Sequence, residues 1–120
     1  MSEYLEYYVG FSHFLGIGPY RFSILLNHYG SVKQAYMAPL KEMKELIGDK
    51  TAQKFVNFRN VFDSQQKIKE IEAKQIEIIA QNSHYFPAPL LHIPDIPICL
   101  YVKGNIRTYD FNTGIYIGIS

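Results

Sequence analysis

Charge and proline are unevenly spread along the 120 residues, and this asymmetry restricts the chain to two kinds of structure in series. Of twelve Lys and Arg and eleven Asp and Glu, only Glu77, Asp95, Lys103, Arg107 and Asp110 lie beyond Gln75, whereas four of the six prolines fall between Phe86 and Pro97. Charges interleaved with apolar residues at helical spacing belong to helices with one face in water. A segment poor in charge and rich in β-branched residues belongs to strands covered on both faces. The chain is therefore read as a helical domain over residues 1–74 followed by a strand-bearing segment over residues 75–120.

Within the first part the punctuation is that of successive helices. A first helix is expected from about Glu3 to His13. Gly16-Ile17-Gly18 then makes a turn, Pro19 presets φ for a first helical position, and Phe22, Leu25, Leu26 and Tyr29 continue at helical spacing. Gly30 ends that helix. Ser31 opens the next, with Gln34 three residues on completing a capping box. Leu40, Met43, Leu46 and Ile47 form a further stripe that Gly48 can close in a left-handed cap, leaving Asp49 as the N-cap of the fifth helix. That helix is read as one long element over residues 50–74, with Ala52, Phe55, Val56, Phe62, Ile68 and Ile71 near one face. In the second part IEIIA, ICLYVK and GIYIGIS read as three short strands, the opening of a layered α/β unit with parallel strands. The fold class is mainly α with a small α/β tail.

A formal net charge of +1 provides no global field to draw in a polyanion, so any nucleic-acid contact has to be local. The single cysteine, Cys99, sits in an apolar run where a small hydrophobe suits a buried strand. The N-terminus carries Glu3 and Glu6 and no basic leader, and no apolar run reaches the roughly 18 residues of a membrane span, which points to a cytoplasmic protein without membrane contact. His13, His28, His84 and His92 show no spacing typical of zinc. No phosphate-binding glycine loop, nucleophile elbow or carboxylate pair is present, so neither cofactor nor catalysis is expected.

One segment does carry a chemistry. LGIGPYRFSILL, residues 15–26, has the order of a helix-hairpin-helix: a hydrophobe, Ile17, held between Gly16 and Gly18, then a helix whose first amides can donate to an anionic oxygen, with Arg21 adding a charge. Phe22 is bulky where such hairpins place a small residue, and a purely structural junction is the competing reading. Lys50 lies at a second junction, Gly48-Asp49-Lys50, where Asp49 opposes phosphate binding. Among the many aromatics Tyr4, Tyr7 and Tyr8 are the ones expected at the surface, where they can stack on bases.

HYFPAPLLHIPDIPICLYVKGN, residues 84–105, resembles the segment that introduces the Rossmann-like domain of the DNA-processing protein A family (DprA, also Smf). The pattern is carried by Tyr85, Pro87, Leu90, Leu91, Ile93, Asp95, Pro97, Leu100, Tyr101 and Gly104, with Phe86 inserted between Tyr85 and Pro87. Independently, LGIGPYRFSILLNHYGSVKQAY resembles the helical N-terminal domain of that family, with its GIG turn and its Tyr29-Gly30-Ser31 junction. The resemblance implies a sterile-alpha-motif-like helical domain with a helix-hairpin-helix, followed by an incomplete Rossmann-like segment. It also implies non-enzymatic handling of single-stranded DNA during natural transformation in competent cells, with RecA as protein partner and self-association. The chain ends at Ser120, before the Gly-Ser/Thr-Arg loop and basic pocket of the family, so it is read as a truncated member and none of those DNA-binding residues is carried over. The alternative is a helical protein-protein interaction module that binds no DNA.

Overall fold

A computed structural model of the chain describes residues 4–103. The expected strand GIYIGIS and the motif residue Gly104 lie outside the described residues. Six α-helices come first: α1 (Leu5–His13), α2 (Pro19–Tyr29), α3 (Val32–Tyr36), α4 (Leu40–Ile47), α5 (Asp49–Val61) and α6 (Ser64–Ala73). Two strands come after them, β1 (Ile76–Ala80) and β2 (Cys99–Lys103), with a 3₁₀ helix at Ala88–His92 between them. The described residues are thus mainly helical with a small sheet.

Most boundaries obey local chemistry. Pro19 occupies the first turn of α2 behind the N-cap Gly18, and Gly30, at φ 77°, ends the helix with its N–H on the Leu26 carbonyl at 2.7 Å. The Ser31 hydroxyl accepts from the Gln34 amide and starts α3. Gly48 serves both as C-cap of α4 and N-cap of α5. Its φ of 92° and ψ of 153° are not the left-handed helical cap expected, and Asp49 is the first residue of α5 rather than its cap. The long fifth helix is also corrected. Phe62 turns extended and the Asp63 carboxylate accepts from the Gln66 amide at 3.0 Å, so a new helix begins at Ser64. An Asp-Ser pair supplies side-chain oxygens that compete with the helical ladder. Phe62 meanwhile gains ring contacts with Phe58 at 4.6 Å and His13 at 5.4 Å.

The strands pair antiparallel, Ile76 opposite Lys103 through Ala80 opposite Cys99, where parallel neighbours were expected. The connection over residues 81–98 holds only the short 3₁₀ helix, and a parallel pair needs a crossover element that carries the chain back along the sheet. Alternation then divides the side chains. Ile78, Ala80, Cys99 and Tyr101 join the same core as the helices, while Ile79, Leu100 and Val102 form a second cluster with Phe86, Leu90 and Ile96. Residues Cys99 to Val102 of β2 are buried on both faces, as in the middle of a layered structure.

Aromatic rings fill the helical core. Phe55 stacks on Phe11 at 5.1 Å and 4° between planes, and Phe11 meets Phe22 and Tyr36 edge-on at 5.2 and 5.0 Å. Phe11, Phe22 and Phe55 are almost wholly buried, each removing apolar area that stabilises by about 2–3 kcal/mol. Tyr8, expected at the surface, is buried with its ring on Phe22. Tyr7 is half-buried against Tyr36, and Tyr4, Tyr20 and Tyr85 are exposed. The α1 helix faces two helices and the sheet at once, which leaves no outward side for Tyr8.

Candidate functional site: the α1–α2 junction

The α1 helix stops at Phe14, whose extended backbone sends the chain into the turn. Gly16 is required there by packing, because a Cβ would come within 2.6 Å of the Phe14 ring. Ile17 drops into the core at 2% exposure, so the hydrophobe between the glycines anchors the turn. Gly18 is different. It is exposed, its φ of −89° suits any residue, and a Cβ would meet nothing within 4 Å. No side chain caps α2, and Pro19 lacks a donor, so the Tyr20 and Arg21 amides are the free donors of its first turn. The Arg21 guanidinium folds back, Nη1 donating to the Gly16 carbonyl at 3.3 Å.

The structure therefore brings Gly16, Ile17, Gly18 and Arg21 into one turn, and leaves Lys50 exposed on a separate junction at the start of α5. The α1 and α2 backbones do not pack closely beyond the turn; Phe22 holds them apart with its ring between Tyr8 and Phe11. Leu15, 96% exposed, and Tyr20, 73% exposed, flank the free amides.

Behind the turn lies an open recess of about 230 Å³, walled by Phe14, Ile17, Pro19 and Ile98 and floored by Ser12, Cys99 and Tyr101. The Ser12 hydroxyl donates to the Val9 carbonyl at 2.9 Å and is bonded to the Tyr101 hydroxyl, while His13 Nδ1 donates to the same carbonyl at 2.9 Å. Burial pushes the Cys99 thiol up to about 12, despite hydrogen bonds from Ser12 and Tyr101, and burial with the neighbouring thiol raises Tyr101 as well. Both groups stay protonated at neutral pH. A thiol in that state is a packing group and not a nucleophile. No sequence spacing announces this network, because Ser12 and Tyr101 are 89 residues apart.

The residues expected to carry the family motif fall in β2 and in the connection before it. Phe86, the inserted residue, and Pro87 are buried, Leu90 packs on Ile79 and Leu100, and Tyr101 reaches Ser12. Tyr85, Leu91, Ile93 and Asp95 are exposed and Pro97 is half-buried. Among the described residues no group of three His, Cys, Asp or Glu is placed to hold a metal, and no helix is long and apolar enough to cross a membrane. No protein-family model, no curated protein and no solved structure matches the chain.

Proposed function

We propose that the chain is a DprA-like DNA-processing protein that contacts single-stranded DNA, without catalysis, through the turn between α1 and α2. The observation that carries this reading is the uncapped start of α2, where the Tyr20 and Arg21 amides and the Arg21 guanidinium stand beside an exposed Gly18 that has no side chain to cover them. A helix start with free amides favours a phosphate oxygen through hydrogen bonds and the helix dipole together. The resemblance of residues 84–105 to the family's motif, and β2 buried on both faces, suit the same reading. By that resemblance RecA is the protein partner.

One turn offers few phosphate contacts, so affinity is expected near the weak end of non-specific binding, about micromolar to tenths of millimolar, and steeply dependent on salt. Gly18→Asp tests the turn without unfolding it. Aspartate is a better N-cap than glycine by a few tenths of a kcal/mol and has room here, yet its carboxylate takes the very amides offered to phosphate. Fluorescence anisotropy with labelled oligonucleotides should show binding by the parent, and loss of it in Gly18→Asp and Arg21→Glu with the melting temperature held or raised. Binding unchanged in both variants would move the contact elsewhere.

The exposed Leu15 and Tyr20 favour a second reading, a helical module that docks a protein through the same turn. Phosphate neutralisation releases counterions and an apolar contact does not, so binding that persists as salt is raised identifies the module.

A further inference from the structure

A second recess lies elsewhere, where α1 crosses the α5–α6 break. It encloses about 360 Å³ and draws on Glu6 and Tyr7 from α1, Tyr36 from α3, and Phe62, Asp63 and Ser64 from the break. Tyr36 is 6% exposed, and its hydroxyl is buried without a hydrogen-bond partner among the described residues. The Ser64 hydroxyl stands beside it without the geometry of a hydrogen bond. The Tyr36 hydroxyl lies over Gly10 of α1, where an added Cβ would come within 2.5 Å of it. A buried, unsatisfied hydroxyl in a native fold costs free energy unless something that visits the site completes it.

The groups around it have one character. Glu6 and Asp63 bring two carboxylates, Glu6 held at 3.1 Å by the Gln65 amide and Asp63 fixed as the N-cap of α6. Tyr7 tilts against Tyr36 with ring centroids 5.5 Å apart, and Val61, 83% exposed, supplies an apolar lip beside Phe62. Arg59, whose charge reaches Tyr36, is committed to the carbonyls of Tyr36 and Ala38 at 2.8 and 2.7 Å. Acceptors, negative charge and π faces around a short apolar wall are what an alkylammonium ion needs. Its three N–H donors take the hydroxyl and carboxylate oxygens, its charge meets the rings, and its methylenes cover the lip.

We infer that this recess binds a primary ammonium group on an alkyl stem, with Glu6 and Asp63 as counter-charges, Tyr7 as the ring under the cation and the Tyr36 hydroxyl as an acceptor at its base. The ammonium group is common to a free diamine and to a lysine side chain of a partner. The site is independent of the α1–α2 turn, so its failure leaves the DNA reading untouched.

The full chain, isotope-labelled, is titrated with n-butylammonium and, as the neutral match in size, n-butanol, and amide shifts are followed by NMR. Saturable shifts confined to the start of α1, the end of α3 and residues 60–65 are expected with the cation and not with the alcohol. Glu6→Gln and Asp63→Asn keep the hydrogen-bonding shapes, including the α6 cap, and each should weaken binding about fivefold or more. Tyr36→Phe keeps the ring and should weaken it severalfold, with circular dichroism unchanged in all three variants. Equal shifts with butanol, shifts elsewhere, or affinity that survives Glu6→Gln or Tyr36→Phe would overturn the assignment. Cadaverine and a short lysine peptide are then compared. Tighter binding of the peptide names a protein partner as the source, and tighter binding of the diamine names a free metabolite.

Discussion

Gly10→Ala reverses the usual sign of a helix-interior glycine substitution. Gly10 lies within α1, where alanine is ordinarily more favourable by about 0.8–1 kcal/mol. Here the new methyl would stand 2.4–2.6 Å from two ring carbons and the hydroxyl of Tyr36, which must retreat by roughly 1 Å to reach ordinary contact. The ring has little freedom to do so, being held by Phe11 at 5.0 Å, Phe55 at 5.3 Å and Tyr7 at 5.5 Å. Overpacking of this kind costs about 1–3 kcal/mol, and a stiff ring wedged among three others places it at or above the upper end. The net loss is then about 2 kcal/mol, a fall of several degrees in melting temperature for a chain of this size. Urea denaturation of Gly10→Ala, Tyr36→Leu and the double variant measures it. The double variant should recover about 1 kcal/mol or more relative to the sum of the singles, because leucine removes the atoms that clash. A Gly10→Ala protein as stable as the parent, or additive changes in the double, would refute the close approach of α1 to Tyr36.

Arg59→Met removes the donor that serves the Tyr36 and Ala38 carbonyls while keeping most of the apolar stem, and should destabilise by about 2–3 kcal/mol in urea melts, with Arg59→Lys intermediate. Gln75 turns the chain from α6 into β1 at φ 63°, so Gln75→Gly relieves a left-handed strain of about 1–2 kcal/mol against a smaller entropic cost, and a small rise in melting temperature is expected. Burial raises Cys99, Tyr101, Tyr8, Tyr36 and Tyr29, the last to about 12 with help from its bond to Glu42, so the folded state holds protons that the unfolded state releases. Their contribution to stability is therefore complete below about pH 9 and declines as pH rises toward 12, seen as a falling urea midpoint and as tyrosinate absorbance that appears later in the native protein than in urea.

The helical half was legible wherever a boundary depends on neighbours in sequence. Pro19, Gly30 and Ser31 act within one turn of themselves, so their residue types suffice to place the starts and stops. Asp63 is equally local, yet the apolar stripe continues through Phe62 and Ile68 and hides the break that its carboxylate makes. Strand direction was not legible, since IEIIA and ICLYVK bury both faces whichever way they pair and the decision lies in what residues 81–98 can span. Ile17 stood out by its place between two glycines, but its burial as the anchor of the turn is set by the core packed around it. The burial of Tyr8 and the union of Ser12 with Tyr101 are set by the sheet packing on α1, and helical periodicity carries no information about a partner so distant in the chain.

The contact between α1 and β2 has a consequence for synthesis on the ribosome. The first of the six described helices to emerge is also one whose core is closed late, because Cys99 and Tyr101 complete a cover over α1 that β1 only begins. Until those residues leave the exit tunnel, a nascent chain with all six helices made still presents Val9 and its neighbours incompletely covered, and native closure waits on a long-range contact. Translational pauses before residue 99 should therefore lengthen the time this chain spends bound to holdase chaperones, whereas pauses after residue 103 should not.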